Sequence, residues 1–467
     1  MAEREAELSK LTAISPIDGR YRDKVEDLAP YTSEAALIKT RVEIEARYLI
    51  CLSDIEVIRP LSSQERELLI NFGPRMTIAQ VQRVKDIETV TRHDVKAMER
   101  AFREFVAGTT MHDVIEMIHF GLTSEDVNNL SVRRRLYLAT KEVCIPALDQ
   151  LVDSLVDRAK QYKGIPMLGR THGQPAIPTT LGKEIANMAI RLNRQVRKLE
   201  AVRLTGKLNG AIGNYNAHVL AAPEVDWISF SQKFVRSLGL EPYLFTTQIN
   251  PYEDMIELFQ AFQRVNGVIL DIDQDMWRYI SDDWFIQDVK KGEVGSSTMP
   301  QKVNPIDFEN SEANVQIANS LWEGMSRKLA VSRLQRDLSD SSTGRNYGVA
   351  LAHGLLANRN TLAGLNRIRP NTQVIEQKLN ENWVILTEGV QTVLRWMGVK
   401  DPYSMVAGLS RGQRIGQTEW QSWVNHLEIP NDVKTELWKL TPETYIGHAE
   451  KLTDMAIEEI NLSRKKI

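Results

Sequence analysis

The sequence predicts an all-α protein of three helical domains around a central bundle of long helices, and three observations predict it. Apolar residues recur at helical rather than alternating spacing through most of the chain, as in Leu37, Val42, Ile44, Tyr48 and Leu49. Three patterned segments, 124–162, 179–204 and 251–284, each run well past the mean globular helix of about 11–12 residues. Strand-like alternation bounded by turn residues is scarce. Long amphipathic helices must cover their apolar stripes, and packing against one another in a bundle does so economically. Helices of this length also pack against copies of themselves, so a homo-oligomer is expected.

In chain order, the first helix is expected over 33–54. A second helical pattern runs from Thr77 to Val106 through IAQVQRVKDIETV and VKAMERAFREFV. These make up an N-terminal domain, 1–111. The central domain, 112–365, opens on 124–162, where Thr123 stands three before Asp126 in a capping-box arrangement and Pro146 should kink the helix. The segment 179–204 follows. Asn250 and Pro251 read as the N-cap and first residue of 251–284, and Asn304 and Pro305 do the same for the helix through IDFENSEANVQIANSLW. A C-terminal helical domain, 366–467, follows near RPNTQ.

At 467 residues, the chain suits two or three domains, and 42% hydrophobic with 25% charged residues is ordinary for a soluble globular protein. A net charge of −3 argues against a nucleic-acid binder, which usually carries a basic excess. Cys51 and Cys144 lie too far apart in sequence for a CxxC site and are too few for a disulfide framework, so a reducing compartment is expected. MAEREAELSK alternates charges where a signal peptide needs an apolar core, and no later run reaches bilayer-spanning length. The expectation is a cytoplasmic protein with no membrane partner. Eight histidines without HExxH argue against a metal, and no cofactor motif is present: GxxxxGK[ST] and GxSxG are absent, and NGAIGN at 209–214 neither matches GxGxxG nor follows a strand. Trp277, Trp284 and Trp322 read as core or interface anchors.

Chemistry is expected in the polar stretches between helices. Four stand out: TRHDVKAME (91–99), HFGLTSED (119–126), GRTHGQPAIPTT (169–180) and GSSTMPQKVNP (295–305). The last feeds a helix N-terminus, where backbone amides, Lys302, Ser296 and Ser297 favour an anion, while Asp307 and Glu309 already answer the helix dipole. A glycine-serine turn with a good cap fits it equally. In GRTHGQPAIP two prolines and two glycines rule out regular helix and hold His172 in a polar turn. Such an imidazole serves either as a general acid or base or as a hydrogen-bonding partner of the turn itself. His93 beside Asp94, and His119, carry the same two readings.

GSSTMPQKVNP resembles the GSSxMPxKxNP signature of the fumarase/aspartase superfamily, whose members add or remove fumarate across a C–N or C–O bond. RTHGQPAIPTTLGKE, TRHDVKA, HFGLTSEDVNN, the early SPIDGRY and the late SRLQRDLSDSSTGRN resemble its adenylosuccinate lyase family, in that family's order and over nearly the whole chain. Gln301 departs from the pattern: that family generally carries His here, and argininosuccinate lyases carry Gln. An argininosuccinate-type sister lyase is therefore one alternative, and a non-catalytic helical oligomer on the same scaffold is another.

The resemblance implies a homotetramer whose active sites are each built by loops from three subunits, acting on purine nucleotide substrates with no metal or cofactor. The implied reaction is β-elimination of fumarate from adenylosuccinate, giving AMP, and from succinylaminoimidazole carboxamide ribotide. It casts His172 as general acid, Ser296 as general base, Lys302 and Asn304 as ligands of the succinyl carboxylates, and Glu309 as the partner of His172. Thr123, Ser124 and Gln248 would contact the succinyl group or the base. Arg20, Tyr21, Ser341 and Arg345 would hold the phosphate, and Arg336 a carboxylate or the phosphate. Arg92, His93, Asp94 and His119 would line the pocket. Gly292 and Gly295 predict that 288–303 is mobile and closes over substrate.

Overall fold

Ser33 starts the first long helix. Its hydroxyl accepts from the Ala36 N–H at 3.1 Å, and Glu34–Asp54 follows for 21 residues. The computed structural model describes residues 9–289, 292, 298–299, 301–410 and 415–465.

The continuous pattern from Thr77 to Val106 is two helices. Thr77 and Gln80 exchange capping bonds at 2.8 and 3.3 Å to open Ile78–Thr91, which ends where Arg92 turns left-handed at φ 50°. The ring of His93 then opens Asp94–Ala107, its Nδ1 accepting from the Lys96 N–H at 3.2 Å. The expected kink in 124–162 takes a particular form. Ser124–Ala139 and Ile145–Gln161 are joined by a π turn, Thr140–Cys144, in which the Ile145 N–H reaches back five residues to the Thr140 carbonyl. Pro146, with no N–H to offer, follows directly, so the wide turn absorbs the disruption that a proline brings to a helix interior.

Three further long helices are Leu181–Ala201, Glu253–Ser281 with 29 residues, and Ile306–Leu329 with 24. Asn250 and Pro251 do not open the second of these, which begins at Glu253. The buried Asn250 amide donates instead to Thr205 Oγ1 at 3.0 Å, and the Pro251 carbonyl accepts from Arg133 at 2.7 Å. The Asn250 Oδ1, the acceptor that a cap would use, is buried without a hydrogen-bond partner.

Helix dominates, but among the described residues six short strands form three two-stranded sheets. Pro166–Thr171 and Gln174–Thr180 make an antiparallel hairpin where the sequence reading expected only a turn. Thr205–Gly206 and Glu241–Pro242 pair in parallel, so NGAIGN does follow a strand, though one of two residues. Phe285–Gln287 pairs antiparallel with Ile368–Pro370.

The chain clusters into two compact units, Met1–Ala147 with Lys198–Asn266 and Asn314–Ala357, and Leu148–Arg197 with Gly267–Ala313 and Asn358–Ile467. In the first, Trp322 stacks on Phe259 and Phe262 at centroid distances of 4.7 and 5.5 Å. In the second, Trp383, Leu386, Val390, Leu394, Trp420 and Val424 form a buried core. Among the described residues no helix is long and apolar enough to cross a membrane.

Candidate active site

Within the first unit, residues from 31–41, 125–136, 252 and 336–348 line a cavity of about 240 Å³. Arg336, Ser341 and Arg345 are on its wall, together with Arg41, Arg133 and Arg135, which sequence reasoning did not single out. Four of these five guanidiniums meet carboxylates: Arg133 with Asp254 at 3.0 Å, Arg41 with Asp94 at 2.8 Å, Arg345 with Glu34 at 3.5 Å, and Arg336 with Glu125 at 3.2 Å and Asp340 at 3.6 Å. Arg135 has no carboxylate within 4.0 Å among the described residues and donates to the Tyr31 carbonyl at 2.7 Å. Burial first, and the neighbouring Arg41 second, pull its pKa down to about 10. The Nε atoms of Arg41, Arg135 and Arg336 are buried without a hydrogen-bond partner. Buried donors left unsatisfied are costly, and an oxyanion in the cavity is the group that would answer them.

Glu125, on the same wall, is fully buried, and that burial pushes its carboxyl up to about 7 even though Arg336 pulls it down. Asp94 behaves oppositely. Burial raises it, but the contact with Arg41 outweighs this and leaves it below its ordinary value. The turn holding Arg92, His93 and Asp94 is thereby tied to the cavity through Arg41.

His119 stands at φ 66° with its Nδ1 2.5 Å from Glu45 Oε1, and its own N–H donates to Glu45 Oε2 at 3.1 Å. Burial opposes the imidazolium, yet the Glu45 carboxylate prevails and raises the His119 pKa. Thr123 N–H donates to Asp126 Oδ2 at 2.8 Å, and Ser124 begins the helix. The fully buried Asp126 also accepts from the Asn209 N–H at 3.0 Å and sits 3.3 Å from Lys207, itself fully buried. Lys207 in turn donates to the carbonyls of Gly210 and Gln248, each at 2.8 Å. One buried ion pair thus fastens the Thr123–Ser124 turn, the loop 207–210 and Gln248 together. A lysine followed closely by NG was the one available signal for it.

In the second unit, His172 and Gly173 form the two-residue tip of the hairpin, with Thr171 paired to Gln174 across it. Both have positive φ, 53° and 73°, the pattern of a type I′ turn. Arg170 Nη1 donates to the Gly173 carbonyl at 3.0 Å, and its guanidinium lies 5.7 Å from the Trp284 ring centroid. The imidazole of His172 is exposed. Glu309, near the start of Ile306–Leu329, accepts from Trp277 Nε1 at 3.1 Å, so the expected pairing with His172 is not made within the chain among the described residues. Lys302 is exposed, and Asn304 lies two residues before that helix. Ser296, with half of the expected closing segment 288–303, lies outside the described residues.

Arg20 and Tyr21 lie in a turn closed by Tyr21 N–H to the Pro16 carbonyl at 2.9 Å and are not on the cavity wall. Among the described residues no group of three His, Cys, Asp or Glu side chains is placed to hold a metal ion.

A family model described as Lyase matches residues 19–318, and one described as Adenylosuccinate lyase C-terminal matches 332–446. Adenylosuccinate lyases of Haemophilus influenzae and of Escherichia coli strain K12 are each 45% identical over 452 residues, covering 96% of this chain and 99% of theirs. The adenylosuccinate lyase of Dictyostelium discoideum is 44% identical over 454 residues, covering 94% of this chain and 97% of its own. The crystal structure of 3-carboxy-cis,cis-muconate lactonizing enzyme from Pseudomonas putida superposes with a TM-score of 0.74 over 94% of this chain and 98% of that one, at 17% identity, a likeness of fold alone.

Proposed function

We infer the roles of individual residues from one premise: the chain belongs to the adenylosuccinate lyase family. It is a fumarate-releasing carbon–nitrogen lyase that cleaves adenylosuccinate to AMP and fumarate in purine nucleotide synthesis. The C-terminal family match weighs against the argininosuccinate-type alternative that Gln301 raised.

The observation that carries the residue assignments is the cavity where Arg336, Ser341 and Arg345 meet two further arginines whose buried N–H groups lack partners. A phosphoryl or carboxylate group of the substrate fits such a wall, because guanidiniums bind oxyanions through paired N–H bonds. Elimination requires a proton to leave the carbon beside a succinyl carboxylate while the amine departs from the next carbon. Charge accumulates on that carboxylate, and fixed donors there supply much of the acceleration. We assign those donors to Lys302 and Asn304, proton removal to Ser296 and protonation of the leaving nitrogen to His172. An imidazole on an exposed turn tip is free to reach a substrate.

The homotetramer with shared sites is also proposed. Exposed Trp277, Ile306 and Ile317 on the long helices are surface that such an assembly would cover, and the His172–Glu309 pair would then form between subunits. The three-domain division at 1–111, 112–365 and 366–467 is likewise proposed; in its last member most of the buried core around Trp420 comes from 379–437, with Leu168 added from the hairpin. A cytoplasmic location fits Cys51 and Cys144 standing outside any disulfide.

The test is the ultraviolet absorbance change on mixing purified protein with adenylosuccinate, with argininosuccinate in parallel and fumarate as the common readout. Fumarate from adenylosuccinate alone is expected. Fumarate from argininosuccinate alone would overturn the assignment.

A further inference from the structure

Two carboxylates approach Arg336, and its buried Nε still has no hydrogen-bond partner. The group is well covered, with side-chain exposures of 15% for Arg336, 4% for Glu125 and 6% for Asp340. Two buried carboxylates on one guanidinium leave a local excess of negative charge at Arg336, on a wall that otherwise carries Arg41, Arg133, Arg135 and Arg345. A third anion there is strongly disfavoured unless one carboxyl is neutral. The Asp340 oxygens are already engaged, accepting from the Tyr252 hydroxyl at 3.0 Å and from the Ser341 N–H at 2.7 Å. The Glu125 carboxyl oxygens accept no hydrogen bond among the described residues, and Arg336 is the guanidinium beside them.

We propose that Glu125 is a proton-operated latch on the cavity: ionised, it holds Arg336, and protonated, it releases Arg336 to an oxyanion, so that binding and proton uptake are one event. Glu125 acts through Arg336 and is a positioning residue. The inference rests on reading the cavity as the substrate's anion pocket.

The surroundings fit a titration in the working range. Burial pushes Glu125 up to about 7, with Arg336 pulling it down, Asp340 pushing it up, and Arg133 and Lys207 pulling it down from the other sides. Arg133 is matched by Asp254 and Lys207 by Asp126, so neither is free to replace Arg336; the phenols of Tyr252 and Tyr347 also face Glu125, and Arg41, Arg135 and Arg345 line the same cavity. Turning Arg336 toward an oxyanion removes a cation from Glu125 and adds an anion nearby. Both changes raise its pKa. Above the empty-pocket value each binding event must therefore take up a proton, and affinity falls about tenfold per pH unit.

Sulfate is a suitable probe because it does not titrate between about pH 6 and 9, the range over which its competitive inhibition constant against adenylosuccinate would be measured. The constant is expected to be level at the acid end and to rise about tenfold per pH unit beyond the empty-pocket pKa of about 7, and in Glu125→Gln to be level throughout. A level wild-type profile, or a slope that survives in Glu125→Gln, overturns the latch. Absence of competitive inhibition at any pH overturns instead the anion-pocket reading beneath it. Should Glu125→Gln not fold, calorimetric titration of wild type with sulfate at about pH 8, in buffers of different ionisation enthalpy, decides the matter: about one proton taken up is expected, and none overturns the proposal.

Discussion

Around the cavity of the first unit, four of the five arginines meet carboxylates and the adjoining Lys207–Asp126 pair is completely buried. At the hairpin of the second unit, His172 stands exposed on a two-residue tip. The difference follows from where each charge must reside. A buried charge has to find its counter-charge as the chain folds, so the cavity wall is also part of what holds the unit together. An exposed imidazole is solvated by water and can be placed by turn geometry alone. Substitutions on the wall should therefore cost stability, and substitutions at the tip should cost rate.

His172→Ala should give the largest effect, a fall in kcat of about 10²–10⁴-fold with an unchanged thermal midpoint, the range expected when a general acid is removed. A midpoint that fell along with kcat would break the contrast. Lys207→Met comes next. It leaves the Asp126 carboxylate buried without its cation and should cost roughly 3–5 kcal/mol in denaturant unfolding. A loss below about 1 kcal/mol would show that the pair is not structural. The smallest effect sharpens the contrast through pH. Because Glu45 raises the His119 pKa above 6.5, that pair contributes its full stability below the unfolded value and loses it as pH rises through the folded one. The wild-type thermal midpoint should accordingly decline above neutrality, by an amount that Glu45→Gln removes.

The long helices were legible because burying one face of a helix imposes a period on the sequence. What escaped had no local signature. Arg92 breaks 77–106 with a left-handed residue that is not glycine, and Asn250 stands ahead of a helix that begins only at Glu253, its amide donating to Thr205 and its Oδ1 without a partner. The hairpin was hidden by its composition. Pro166, Pro175, Pro178 and Gly169 suppress a strand pattern, and Gly169 sits at the register irregularity, where an added Cβ would lie 2.5 Å from the Ile177 carbonyl. Among the residues lining the cavity, Arg336, Ser341 and Arg345 were reached through a motif. Arg41, Arg135 and Glu125 were not, since a charged residue in a helix looks the same in sequence whether it faces water or a closed cavity, and Lys207 was not, since a lysine between helices reads as solvated. Glu125 even lay inside a quoted stretch, but its meaning depends on Arg336, far along the chain.

The five-residue turn at Thr140–Cys144 also bears on how this chain is lined up with others. A π turn holds one residue more than the α turn it replaces, and one residue amounts to about 100° of rotation around a helix axis. A relative that runs straight through this point would need one residue fewer to keep its later side chains in phase. Aligned without a gap there, its core positions in the Ile145–Gln161 stretch would be matched to surface positions, and substitution patterns read from such an alignment would mistake a shift of phase for a change of chemistry.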